Sequence, residues 1–128
     1  MTDPLVSAAR AAQQQAYAPY SHFRVGAALE SEDGRVFVGC NVENASYGLT
    51  ICAERAAVCA AVAAGARRLR RGVVVSDADP PAAPCGACRQ VLSEFGPDMA
   101  ILGVGPGATV SWTLGQLLPA AFGPEQLR

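Results

Sequence analysis

Three cysteines and one glutamate carry the chemistry that this sequence offers. Cys52-Ala53-Glu54 opens an alanine-rich run, and Pro84-Cys85-Gly86-Ala87-Cys88 opens a second stretch of helical character. Cys85-x-x-Cys88 lets two thiolates reach one ion from a single helical turn. Taken alone, that spacing also suits a redox pair or half of a zinc ribbon. Cys52 adds a third thiolate at another helix start, where the positive end of the helix dipole stabilises an ionised sulfur. Three sulfurs leave a tetrahedral zinc one open position. The other residues able to fill it are Cys40, Cys59 and His22. Cys59 lies two helical turns beyond Cys52, about 10 Å away by helical rise. Cys40 falls within a strand pattern and reads as a small buried hydrophobe, and His22 reads as a surface residue in a polar turn. Water is the expected fourth ligand. Zinc lowers the pKa of bound water from about 16 to about 7, and the released proton needs an acceptor. Glu54, on the same turn as Cys52, is placed to take it without coordinating the ion.

The elements that must position these residues follow from local patterning. Residues 4–17 read as an amphipathic helix with Leu5, Ala9, Ala12 and Ala16 on one stripe, ended by Pro19. Residues 23–30 and 35–42 read as two strands joined by the polar turn SEDG. ENASYGLT is a loop leading to Cys52. Residues 52–64 form a helix stopped by Gly65, and 72–76, GVVVS, a buried central strand. DADPPAAP is a rigid loop, 85–95 a third helix closed by Gly96, and 99–105 and 108–112 two further strands. A short last helix lies within 113–122. The order α-β-β-α-β-α-β-β-α implies an α/β fold, a five-stranded mixed sheet with helices on both faces. Ligands of such sheets sit beyond strand C-termini, where helices begin, and Cys52 and Cys85 are both placed there.

Composition narrows the class. A chain of 128 residues with 51% hydrophobic and 16% charged residues fits one compact domain, residues 1–128. The formal net charge of -1 offers no basic field for nucleic acid. The local run Arg67, Arg68, Arg70, Arg71 reads as a solvated helix end. The first residues lack the pattern of a signal peptide, and no run of about 20 apolar residues offers a membrane span. Cytoplasm is the expected location. Five cysteines in such a chain favour metal or reactive thiols over disulfides.

Cys-Ala-Glu followed by Pro-Cys-x-x-Cys matches the signature of zinc nucleobase deaminases, with cysteine in the histidine place. YSHFRVGAAL (20–29), GCNVENASY (39–47), CAERAA (52–57), PCGACRQVLSEFG (84–96) and LLPAAF (117–122) closely resemble the small homotetrameric cytidine deaminases of pyrimidine salvage. The resemblance covers nearly the whole chain and implies that family's three-layer α/β/α fold. It implies that Cys52, Cys85 and Cys88 bind one Zn²⁺ per subunit. Glu54 would take a proton from the zinc-bound water, protonate N3 of cytosine and help deliver a proton to the departing amine. Cytidine and 2'-deoxycytidine would become uridine and 2'-deoxyuridine. Asn41 and Glu43 match the pair that hydrogen-bonds the ribose hydroxyls, and Asn-x-Glu on a strand does put both side chains on one face. Phe23 matches the aromatic packing on the base, and the backbone at Ala53 would meet the ring's polar edge. Tyr47 and Phe122 match residues reaching a neighbouring subunit's site. Arg55 resembles the arginine that hydrogen-bonds the ligand sulfurs and offsets their charge.

The alternatives are a deaminase of a modified nucleoside such as blasticidin S, an RNA deaminase, a structural zinc module and a thiol oxidoreductase. The Asn41–Glu43 pair argues for a free nucleoside, whose hydroxyls a polymer would use in phosphodiester links. A structural module would leave Glu54 idle, and an oxidoreductase would leave Cys52 and Glu54 unexplained. Arg24, Arg89 and Gln90 carry no role on sequence grounds.

Overall fold

A computed structural model describes residues 3–127. Helix α1, Pro4–Gln13, starts where it should: Pro4 opens it, and Asp3 Oδ1 accepts the Leu5 N–H at 3.0 Å. It stops short of the expected residue 17. The Tyr17 N–H donates to the Asn41 carbonyl at 3.0 Å, and the Tyr17 carbonyl accepts from Glu43 N–H at 2.8 Å. A tertiary bridge has thus taken the backbone groups that a longer helix would need. Asp3 also pairs with Arg71, and that hydrogen bond holds its carboxyl below the usual range against the opposing effect of burial. The stabilisation given by a depressed carboxyl is fully present above the unfolded pKa and is lost as pH falls from there through the lower folded pKa. Asp3→Ala is therefore expected to cost about 1 kcal/mol at neutral pH. The difference should close below about pH 4, as read by urea unfolding at both pH values.

The sheet runs β2-β1-β3-β4-β5. Strands β1, Val25–Ser31, and β2, Val36–Cys40, form the expected hairpin, with Gly34 at φ +87° in its turn. Strand β3, Leu69–Ser76, begins earlier than expected because β1 draws it in, pairing Ser31 with Leu69. It lies antiparallel to β1 and parallel to β4, Ala100–Val104, while β5, Thr109–Thr113, closes the far edge antiparallel to β4. The mixed five-stranded sheet matches the sequence reading.

Helices cover both faces. Leu5 and Ala9 of α1 pack on Ala28, Val73, Val75 and Val104. On the opposite face, Ala27, Leu29 and Ile101 meet α2, Ala53–Ala63, and α3, Gly86–Phe95. Alternation along β1 therefore feeds two cores. Gly39 of β2 sets how close α2 can come. A Cβ there would stand 2.5 Å from Ala57 N and 2.6 Å from the Ala53 carbonyl oxygen, so glycine is required for this approach. The last helix, α4, is a single turn, Leu114–Leu117, shorter than the expected segment. Leu118 follows it outside the helical region, at φ -138° and ψ 71°, and Pro119 disfavours α-helix for its predecessor.

The arginine run is not one solvated helix end. Arg67 Nη1 does donate to the Val62 carbonyl of α2's last turn at 3.0 Å. Arg70 and Arg71, however, lie in β3 and pair with Glu30 and Asp3. None of the described helices is long and apolar enough to cross a membrane.

Candidate active site

Cys52 and Cys85 are the residues immediately before α2 and α3, in extended conformation, and neither side chain caps its own helix. Their sulfurs are therefore free to turn toward each other. Cys88 lies one turn into α3 and is fully buried. The Cys52–Cys85 and Cys85–Cys88 sulfur separations are 3.8 and 3.3 Å, and all three sulfurs lie within 4.8 Å of one another. Ligand sulfurs about 2.3 Å from a tetrahedral zinc stand about 3.8 Å apart, so the triad has the dimensions of a zinc site. The thiols perturb one another's ionisation. Cys52 is pulled down to about 5, first by its hydrogen bond with Cys88 and then by Arg55 and Cys85. Cys88 is pushed up by the same bond and by burial. Cys40 and Cys59 lie outside the triad.

Arg55 supports the sulfurs from the side. Its Nη2 lies 3.8 Å from Cys52 Sγ and donates to the Thr50 carbonyl at 3.3 Å. Its Nε–H is buried without an acceptor, an orphan donor that charged ligand sulfurs would satisfy. Arg55→Ala is expected to weaken zinc retention or turnover by about 10–100-fold, measured by chelator competition and by initial rates. Arg89, left without a role by the sequence, braces the second ligand pair. Its Nε donates to the Pro84 carbonyl at 2.7 Å, and its Nη1 to the Leu117 carbonyl at 2.9 Å. Gln90 Nε2 donates to the Phe122 carbonyl at 2.9 Å, so α3 clips the C-terminal segment in place.

A cavity of about 260 Å³ opens beside the triad, at the C-terminal end of β3. Phe23, Asn41, Glu43, Ala53 and Glu54 all line it together with Cys52 and Cys85. Glu54 is 5% exposed, and burial pushes its carboxyl above the usual range; the nearby Cys52 sulfur adds to the shift, while its own main-chain N–H and Arg55 oppose it. A buried acid raised in this way is suited to carrying a proton near neutral pH. Asn41 and Glu43 project the same way from the extended chain after β2, while Val42 between them is 45% exposed. Both also do structural duty. Asn41 Oδ1 accepts the Val25 N–H at 2.9 Å, and its Nδ2 donates to the Phe23 carbonyl at 2.7 Å. That leaves one amide N–H for a ligand. Glu43 Oε1 accepts the Tyr20 and Ser21 N–H groups at 3.0 and 3.1 Å, and Oε2 accepts from the Ser21 hydroxyl. Those bonds, led by Ser21, hold its carboxyl low and ionised.

Two residues stand apart from the triad's cavity. Tyr47 lines an adjoining cavity of about 300 Å³ that shares Ser21, Glu43 and Thr50 with the first, and it meets Tyr20 edge-on at 6.0 Å. Phe122 lines a separate cavity beside Arg67 and Arg68. Sequence reasoning passed over Ser21, Thr50 and Ser76, which also line the main cavity. Ser21 stands two residues before Phe23, a local serine-turn spacing that is a readable signal.

The family described as "Cytidine and deoxycytidylate deaminase zinc-binding region" matches residues 2–104. A cytidine deaminase from Sporosarcina psychrophila is 46% identical over 98% of this chain and 93% of its own length. One from Mycobacterium tuberculosis is 50% identical over 88% of this chain and 82% of its own. The crystal structure of cytidine deaminase from Burkholderia pseudomallei superposes with a TM-score of 0.90 at 52% identity, over 95% of this chain and all of that one. The sulfur triad and Glu54 fall inside the matched region, and the agreement in chain path runs well past them, so the chain belongs to the family of zinc-binding cytidine and deoxycytidylate deaminases.

Proposed function

We propose that this enzyme hydrolyses cytidine and 2'-deoxycytidine to uridine and 2'-deoxyuridine, releasing ammonia, as a step of pyrimidine salvage. The observation that carries the reading is one cavity lined by the buried Glu54, the triad cysteines Cys52 and Cys85, and the Asn41–Glu43 pair. Cys52, Cys85 and Cys88 would hold a zinc ion, which would supply the Lewis acid that makes water a nucleophile at neutral pH. Glu54 takes a proton from the attacking water and passes it to ring N3 while the oxygen adds at C4. It then takes the second proton and delivers it to the amino nitrogen, the C4–N bond breaks, and ammonia leaves. One water proton ends on N3 and the other on ammonia. Phe23 packs on the base, the Ala53 backbone meets its polar edge, and Asn41 and Glu43 hold the sugar hydroxyls. None of the cavity-lining side chains is cationic, and Glu43 is an anion. That lining suits a neutral nucleoside and repels a phosphorylated one.

The reading takes residues 1–128 as a single catalytic domain, in keeping with the one continuous sheet. It also takes the working form as a homotetramer. Tyr47, Leu49 and Phe122 are 73, 66 and 58% exposed, and large exposed apolar side chains of this kind suit subunit contact. Tyr47 and Phe122 would then reach a neighbour's cavity; a fully active monomer in sedimentation would remove those roles. Five free cysteines fit a reducing cytoplasm, which cell fractionation can check.

The deciding test follows the ultraviolet change of cytidine with purified, zinc-replete protein and measures ammonia in parallel. Equal formation of uridine and ammonia is expected. No conversion with one zinc per chain present would overturn cytidine as the substrate.

A further inference from the structure

Phe23 reaches the cavity from a segment, residues 23–25, at the very start of β1. All six main-chain polar groups of this segment are hydrogen-bonded, and five of the partners are side-chain atoms. The Phe23 N–H donates to Ser21 Oγ at 3.0 Å, and Asn41 Nδ2 donates to the Phe23 carbonyl at 2.7 Å. Val25 N–H donates to Asn41 Oδ1 at 2.9 Å, while the Val25 carbonyl accepts from Asn41 N–H at 3.2 Å. The centre of the segment is held from the other side. Arg24 N–H donates to Asp77 Oδ2 at 3.0 Å, and Gln13 Nε2 donates to the Arg24 carbonyl at 3.2 Å. Gln13 Nε2 also donates to Asp77 Oδ1 at 3.3 Å, tying the two holders to each other.

These holders come from far apart in the chain. Gln13 is the last residue of α1 and is 7% exposed, an unusual degree of burial for a glutamine. Gly26 lets α1 come close enough: a Cβ there would lie 2.0 Å from the Ala9 carbonyl oxygen and 2.5 Å from Gln13 N. Asp77 directly follows β3. The Arg24 and Asp77 side chains, 3.9 Å apart and both well exposed, form a surface pair of little energetic weight. What Asp77 contributes is a charge-assisted bond to the Arg24 main chain, stronger than a neutral one.

We infer that Asp77 and Gln13 are positioning residues of the nucleoside pocket: together they lock the main chain at Arg24 and so set where the Phe23 ring stands. A wall already in place spares the ligand the cost of ordering it on binding. Loss of the lock should weaken substrate binding and leave the proton path at Glu54 intact.

The kinetic arm of the test rests on the nucleoside reading; the exchange arm does not. Asp77→Ala is expected to raise the KM for cytidine about tenfold, with kcat within about twofold and zinc content unchanged. Asp77→Asn should recover part of the loss, because one oxygen still accepts from Arg24 N–H. Gln13→Leu, which frees the Arg24 carbonyl and one Asp77 oxygen but keeps the Arg24 N–H bond to Asp77, should raise KM less, and the double variant should fall short of the product of the two effects. Without any substrate, the Arg24 amide should exchange with deuterium at least about tenfold faster in Asp77→Ala, while amides of α2 keep their wild-type rates. A surface-stability role would instead lower the active fraction, and hence apparent kcat, at constant KM. Unchanged KM in both single variants, or unchanged Arg24 exchange in Asp77→Ala, overturns the inference. If wild-type protein fails on cytidine, the substrate reading falls and the exchange result still decides this one.

Discussion

Glu54→Gln is expected to lower kcat on cytidine by about 10²–10⁴-fold while the protein stays folded and keeps one zinc per chain. The side chain sits in the first turn of α2 and is nearly as buried as the alanines around it. Glutamine fills the same volume, so packing at Ala53 and Ala57 should be unchanged. What is lost is the ability to take a proton from water and return it first to N3 and then to the amine. Rates and zinc content measured on one preparation separate the two. Turnover near wild type would remove Glu54 from the proton path. Loss of zinc together with turnover would mean that its place is structural.

Cys88→Ser should empty the metal site. Zinc binding at closed protein sites is worth roughly 10–16 kcal/mol, or about 3 kcal/mol per ligand shared over four, so losing one sulfur should weaken affinity by about 10²-fold or more. Serine is a poor substitute, since its oxygen stays protonated at neutral pH and suits zinc less than sulfur does. Cys88 is also fully buried on the inner side of α3, so the new hydroxyl must find a partner there. An unpartnered one costs about 1–3 kcal/mol, and a lower Tm should accompany the metal loss. Zinc measured after dialysis decides the matter. Retention as tight as wild type would remove Cys88 from the ligand set, and the Cys52–Cys85–Cys88 triad would have to be redrawn.

Much of this could be read from short-range pattern. The two cysteine-bearing helix starts obey local periods and stand where those periods say, whereas β2 ends at Cys40, short of the expected residue 42, and Asn41 and Glu43 share a face from the chain beyond it. Errors gathered at element ends, where a distant partner competes for the backbone. Residues 14–17 left α1 because Tyr17 pairs with the chain around Asn41 and Glu43. Leu69–Arg71 joined β3 because β1 offered a longer ladder than the valine run alone suggested.

Asn41 and Glu43 show the same division within the site. Their types and spacing pointed to a polar face toward a ligand. Only the fold shows that each also braces the pocket, Asn41 at Phe23 and Val25, Glu43 at Tyr20 and Ser21. Residue type and local spacing determined which groups are able to hold charge, metal and protons, because those are properties of a side chain and its nearest turns. The tertiary structure decided which distant groups, Gln13, Asp77 and Arg89 among them, hold the reactive ones still, because a hydrogen bond spanning 64 positions of sequence between Gln13 and Asp77 leaves no mark on local pattern.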